Sequence, residues 1–322
     1  MNPEFKKRQE QVLEILSLLS KEAEKQKQLL VFIGGSAVQA ILPEPMRLSI
    51  DLDAHYSGEP EKLLDCLKPD FAVSERVSKN QLQFRFFEAT KKGVLVKIDL
   101  TRFGLPGKGK AFELTKISSF KARVATPSYL LAGKLSALAI GTIGRKEGKK
   151  DLQTDFLKDV TDSHQLISFT KLDEQVAPFF EEIVKTQNGL RKTSYPATEA
   201  VESILKTVLE SIKTDDTGLV SKGSLQNFNQ YLFGKTIRKP DYWEMAAKAA
   251  AFAKIVLSEK RDLKEFKKID STVQADYADK QKAKQWQEKL ETKTIAPKLL
   301  HELKILAPKA LGYYYFATFP KE

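Results

Sequence analysis

The strand pattern of this chain largely disappears after Thr126-Pro127, and that loss restricts it to a fold of two unlike parts. Before this point the apolar residues come as short runs and alternations. Leu29 to Ile33 is an apolar run that ends in Gly34-Gly35, consistent with a buried strand entering a tight turn. Arg47 to Asp53 alternates, with Ile50 and Leu52 on one face and Ser49, Asp51 and Asp53 on the other. Phe71–Arg76, Gln81–Glu88 and Val94–Leu100 read as further strands, the last two joined through the hairpin connection 89–93. Helices flank them: one carries Val12, Ile15, Leu16 and Leu19 on a single face, a short one follows Gly35, and another covers 60–68. After Thr126, which can cap a helix with Pro127 in its first turn, the pattern is helical nearly throughout. That helix is expected to end near Ile140, with a break over Gly141–Lys150 and a further helix over 152–166. Val201, Ile204, Leu205, Val208, Leu209 and Ile212 make a regular stripe, and 240–257 and 258–293 are helix-like. The class is therefore α+β: a sheet domain with flanking helices over 1–168, then a mainly α-helical domain over 169–322.

Composition narrows the setting. The 322 residues are 42% hydrophobic, enough for two domains with cores of their own. Cys66 is the sole cysteine, so no internal disulfide and no thiolate zinc site can form, which points to a reducing interior. The opening MNPEFKKRQEQ lacks the apolar stretch of a signal peptide, and no run approaches the ~18–20 apolar residues of a bilayer span. A soluble, cytoplasmic protein with no membrane partner is expected. With 53 Lys and Arg against 42 Asp and Glu, the formal charge is +11, which suits a polyanionic partner and equally suits simple solubility.

The chemistry concentrates between Gly34 and Asp99. Alternation sets Asp51 and Asp53 side by side, where two uncompensated carboxylates repel, and a divalent ion relieves that repulsion. Magnesium prefers such hard oxygen ligands, with substrate phosphates completing the set; manganese could replace it. Asp99 projects away from apolar Val96, Ile98 and Leu100, so if its strand neighbours that of Asp51 the three carboxylates converge. Such a group suits nucleotidyl transfer from an NTP, with Asp51, Asp53 and Asp99 as metal ligands and Asp99 placed to take the proton of an incoming hydroxyl. A lone DxD is more often a solvated edge, but here Gly34-Gly35-Ser36 precedes it at the start of a helix. Glycines let a phosphate approach, unpaired N–H groups bind it, and Ser36 adds a hydroxyl. The combination resembles the nucleotidyltransferase superfamily that includes polymerase beta.

Lys134 falls beside the apolar face of its helix, either a snorkelling lysine or a cation reaching a triphosphate. Asp155, Asp159 and Asp162 share one face of the next helix, which alone would be a solvated acidic face. Together, Gly34-Gly35-Ser36, Arg47-x-Ser49-x-Asp51-x-Asp53, Asp99, Lys134-Leu135-Ser136-Ala137-Leu138 and Lys158-Asp159-x-x-Asp162 resemble the AbiEii-type nucleotidyltransferase toxins, which include the mycobacterial MenT proteins. The match covers about residues 30–166. The resemblance implies a polymerase-beta-like sheet domain, with Ser49 and Asp51 at the metal. It implies that Lys134 and Asp162 serve the nucleotide, with Asp159 beside them. It also implies transfer of nucleotides to the 3′ acceptor end of tRNA, relieved by a cognate antitoxin protein. Asp151 competes with Asp159 for the final motif, because the basic stretch 141–150 widens the spacing. A protein or small-molecule acceptor, or a non-catalytic RNA-binding role, remains an alternative.

Other conspicuous residues have plainer readings. His55 is read as a surface histidine, Tyr313-Tyr314-Tyr315-Phe316 as an anchor for the C-terminus, and Trp243 and Trp286 as core. Gly104–Lys110 lacks the Ser or Thr of a P-loop and reads as a basic loop.

Overall fold

The computed structural model describes residues 3–76, 84–102, 111–146, 148, 151–169, 171–212, 219–234, 236–258, 262–293, 295 and 297–320. The chain forms two compact units, Met1–Leu130 with Gln230–Lys235, and Leu131–Asn229 with Thr236–Glu322. The domain limit expected near 168 lies inside the second unit. The helix before it, Leu152–Ile167, packs on helices that come later in the chain.

The first unit is built on a seven-stranded mixed sheet. Its strands are β1 (Leu30–Ile33), β2 (Asp51–Tyr56), β3 (Ala72–Arg76), β4 (Phe84–Lys91), β5 (Val94–Thr101), β6 (Phe112–Ile117) and β7 (Phe120–Ala125), in the order β3-β4-β5-β2-β1-β7-β6. At the centre, β2 runs antiparallel to β1 and parallel to β5. The strands expected near 29–33, 71–76, 81–88 and 94–100 are present, although 81–83 lie outside the described residues. The β4–β5 connection is tighter than the sequence suggests. Lys91 pairs with Val94, and Lys92 and Gly93 both take positive φ, 50° and 76°, as a two-residue type I′ turn requires.

Helix α1 (Pro3–Lys25) packs across β2, β5 and β7 with Val12, Ile15, Leu16 and Leu19 at 2% exposure or less. Helix α2 (Gly34–Ile41) follows β1 directly, and α3 (Pro60–Leu64) runs into a 3₁₀ turn over Asp65–Leu67. The strand expected from Arg47 begins instead at Asp51. Residues 46–48 are engaged elsewhere: Leu48 N–H donates to Tyr231 O at 2.8 Å and Phe233 N–H to Met46 O at 2.9 Å, around an isolated antiparallel bridge of Arg47 with Leu232. A segment far along the chain thus takes the backbone groups that would have extended β2.

Helix α4 (Pro127–Leu138) begins in the first unit. The second contains α5 (Leu152–Ile167), α6 (Val176–Arg191), α7 (Ala197–Ser211), α8 (Lys222–Asn229), α9 (Lys239–Val256), α10 (Leu263–Asp276), α11 (Lys280–Glu291), α12 (Pro297–Leu306) and α13 (Pro308–Thr318). Asp262 and Asp279 cap α10 and α11 by accepting from the N–H groups of Lys264 and Glu265, and of Gln281 and Lys282. The axis is α9, whose small residues Ala246, Ala247, Ala249, Ala250, Ala251 and Ala253 are fully buried among α5, α7, α10 and α13. Trp243 and Trp286 are core, as expected, and the aromatic run at 313–316 is buried in α13, with Tyr315 stacked on Trp286 at 6.3 Å. Lys248 of α9 is buried but paired with Asp270 at 2.9 Å. Among the described residues no helix is long and apolar enough to cross a membrane.

Candidate active site

The first unit brings the Gly34–Asp53 segment against Asp99. Alternation along β2 leaves Asp51 and Asp53 half-buried while Leu52 and Ala54 are fully buried, and the same alternation in β5 sets Asp99 apart from buried Ile98 and Leu100. The parallel register places Asp53 opposite Asp99 and Asp51 opposite Lys97. Burial, and then the negative charge of Asp51, push Asp99 up to about 6, while Lys97 and Arg76 pull it down. Negative charge has been concentrated on this strip of sheet.

One cation already answers it. Arg8 of α1 donates from Nη2 to Asp51 Oδ1 at 3.0 Å and from Nε to Ile50 O at 3.0 Å. Helix periodicity in α1 does not reveal this role, because Arg8 sits among other charges in the sequence. The carboxylates fit a divalent ion by donor chemistry, offering hard oxygens only. Among the described residues, however, no three His, Cys, Asp or Glu side chains are arranged as they stand to hold one.

The glycines have distinct tasks. Gly34 takes φ +66° where β1 turns into α2, and a Cβ there would stand 2.1 Å from Asp53 Oδ2. Gly35 leaves space for two side chains, since its Cβ would meet Arg47 Nη2 at 2.6 Å and Ser49 Oγ at 2.9 Å. Arg47 is buried at 6% exposure and donates to Leu48 O at 3.0 Å, so a fixed guanidinium stands beside the start of α2. The N–H of Ser49 donates to Gln39 Oε1 at 2.8 Å and its hydroxyl to Asp51 O at 3.2 Å. Ser36 is buried, its hydroxyl turned onto Ile33 O at 3.4 Å rather than outward.

His55 is not at the surface. It is 8% exposed, its Nε2 lies 3.0 Å from Tyr129 Oη, and burial pushes it down to about 4, opposed by a backbone hydrogen bond with Thr101.

The residues expected from the later motifs gather in the second unit. Lys134 of α4 donates to Asp159 Oδ1 at 3.0 Å and pairs with Asp162 Oδ2 at 2.8 Å; both carboxylates come from α5 and are 1% exposed. Arg145, which the sequence left in an undifferentiated basic stretch, donates from Nε to Asp159 Oδ2 at 2.6 Å and from Nη1 to Asp155 Oδ2 at 2.9 Å. Burial alone would raise Asp159; Lys134 and Arg145 override it and hold the carboxyl at about 2. Of the two rivals for the final motif, Asp159 is the one fixed to Lys134, whereas Asp151 is an exposed residue at the start of α5. The loop Gly104–Lys110 lies outside the described residues.

The sequence matches no family model and no curated protein. Among solved structures it is similar to an antigenic nucleotidyltransferase-like protein from Paracoccidioides brasiliensis, at 15% identity and a TM-score of 0.36 over 56% of this chain and 88% of that one. It is also similar to the antibiotic-resistance factor ANT(2'')-Ia, at 13% identity and a TM-score of 0.39 over 56% of this chain and 96% of that one.

Proposed function

We propose that this protein is a divalent-metal-dependent nucleotidyltransferase that transfers a nucleotide from an NTP to the 3′ acceptor end of tRNA, as the toxin of an AbiEii-type toxin–antitoxin pair. The observation that carries the reading is the register of β2 on β5, which sets Asp53 beside Asp99, with Gly34 against the Asp53 carboxylate. Asp51, Asp53 and Asp99 would hold magnesium, which when bound neutralises their charge and that of the triphosphate. The start of α2 offers backbone N–H groups to phosphate, and buried Arg47 adds a positive charge there. In the transfer, the RNA hydroxyl oxygen forms a bond to the α-phosphorus, the bond from that phosphorus to the bridging oxygen breaks, and pyrophosphate leaves. The hydroxyl proton passes to Asp99, the cross-strand neighbour of Asp53. By the resemblance, Lys134, paired with Asp159 and Asp162 within the second unit, would serve the nucleotide. The formal charge of +11 supports an RNA acceptor over an uncharged small molecule.

The test is to incubate the protein with magnesium, each labelled NTP in turn and a total tRNA pool, beside Asp51→Ala. Label in tRNA that is lost in the variant is the expected result. Label in the protein itself, or no label with any NTP, would overturn the proposal.

A further inference from the structure

The second unit contains a cavity of about 480 Å³ bounded by the end of α7, by α8 and by the start of α9. Its inner wall is apolar: Val220, Leu225, Ile237 and Trp243 line it and are all at most 9% exposed. Its rim carries Lys222, Arg238 and Lys239, all exposed. Among the described residues that line it there is no Asp or Glu, and Arg238 Nε pairs with Asp241 at 3.3 Å. Lys239 Nζ lies 5.2 Å from the Trp243 ring centroid, so positive charge stays beside the aromatic wall.

The walls are fixed by bonds that have nothing to do with helix continuity. Asn229 accepts from the N–H of Ile237 at 2.9 Å and donates to its carbonyl at 3.2 Å, tying the end of α8 to the strand-like approach to α9. Tyr242 donates its hydroxyl to Ser211, joining α9 to α7. The cavity is thus held open by its own framework, and its volume falls within the usual range for small-molecule sites, roughly 300–1,000 Å³.

A ligand that satisfies both halves must bring a flat, weakly polar body for the inner wall and an anion for the rim. A fully apolar ligand would waste the cations, and a bare inorganic anion would leave the inner wall wet. We propose that this cavity is a binding site for a nucleoside monophosphate unit, either free or as one nucleotide of an RNA strand, with the base inside and the phosphate on Lys222 and Lys239. The site is independent of the carboxylate centre and would exist in a protein without transferase activity.

The test uses the full chain in EDTA, which withholds divalent ions from the carboxylates. Each of the four nucleoside monophosphates, adenosine, inorganic phosphate and a single-stranded RNA hexamer are titrated by calorimetry, with tryptophan fluorescence followed in parallel. The expected result is binding of at least one monophosphate, at least tenfold tighter than adenosine or inorganic phosphate and accompanied by a change in emission from Trp243. Lys222→Ala with Lys239→Ala, both at exposed positions, should weaken it at least tenfold. A hexamer that binds more tightly than any monophosphate identifies RNA as the source of the ligand, and the reverse identifies free nucleotide. Absence of binding by every monophosphate and by the hexamer, or binding unchanged in the double variant, would overturn the proposal. Neither outcome bears on whether label enters tRNA, so the two readings fail separately.

Discussion

Asp159→Asn is the substitution that most directly probes the second unit. The change keeps the shape of the side chain and removes the charge that holds Lys134 and Arg145 at 3.0 and 2.6 Å. The distance from the ordinary 3.8 to the native value of about 2 corresponds to about 2–3 kcal/mol of charge stabilisation at ~1.4 kcal/mol per pH unit. Breaking a buried pair from one side costs about 3–5 kcal/mol because the partner stays behind. Here both cations keep a second carboxylate, Asp162 for Lys134 and Asp155 for Arg145, so the lower end applies. A loss of about 3 kcal/mol in a unit of this size lowers Tm by roughly 6–12 °C. The sign with pH follows from a depressed carboxyl: the stabilisation is complete above the ordinary 3.8 and is lost as pH falls through about 2. Thermal melts followed by circular dichroism at pH 7 and at steps down to pH 3 would show the gap between wild type and Asp159→Asn narrowing only below about pH 4. A variant that melts within 2 °C of wild type at pH 7, taking about 2 °C as the smallest shift expected per kcal/mol, would refute the reasoning. So would a gap that stays constant across the acid range.

Two further outcomes concern the carboxylate strip. Gly34→Ala combines a positive φ of 66° with a Cβ that would overlap Asp53 Oδ2; a loss of about 1–3 kcal/mol is expected in urea unfolding, together with transfer activity reduced to the level of Asp53→Ala. In ion-free buffer, Asp99, raised to about 6 by burial and then by Asp51, favours the fold when protonated, and that contribution is lost as pH rises through about 6. Urea midpoints measured from pH 4.5 to 7.5 should therefore decline for wild type relative to Asp99→Asn, and parallel profiles would contradict the assignment.

What could be read from the residues alone followed how local each signal was. The Asp51–Asp53 pair and the outward side of Asp99 come from a period of two, which the strands obey residue by residue. That β2 and β5 are neighbours is a property of topology and could be stated only as a condition. Strands β6 and β7 are not legible in the sequence because Phe112–Ile117 is half exposed and mixes Glu and Lys with its apolar residues. Their turn rests on Ser118 at φ 54°, without the Asn or Gly that signals a hairpin. Strand β2 starts later than the alternation from Arg47 implies because Tyr231 and Phe233 claim the backbone at 46–48 from far along the chain. Arg145 and Arg8 are hidden among other cations; each is singled out by acidic partners that only the folded chain supplies, Asp155 and Asp159 for Arg145 and Asp51 for Arg8. The burial of His55 is hidden for the same reason, since Tyr129 lies 74 residues away.

Arg8 gives the first helix a stake in the charge of the cleft. A cation that takes Asp51 Oδ1 for itself must displace the guanidinium, so ion binding and the seating of the N-terminal turns oppose one another, each weakening the other by the same factor. The antagonism is confined to those turns. Further along, Gln11 donates to Lys91 O at 2.9 Å, Glu14 pairs with Lys91 at 2.6 Å, and Val12 and Ile15 remain in the core. The helix can therefore loosen at one end while staying docked at the other, and the occupancy of the carboxylates becomes legible from outside as hydrogen exchange in the first turns of α1.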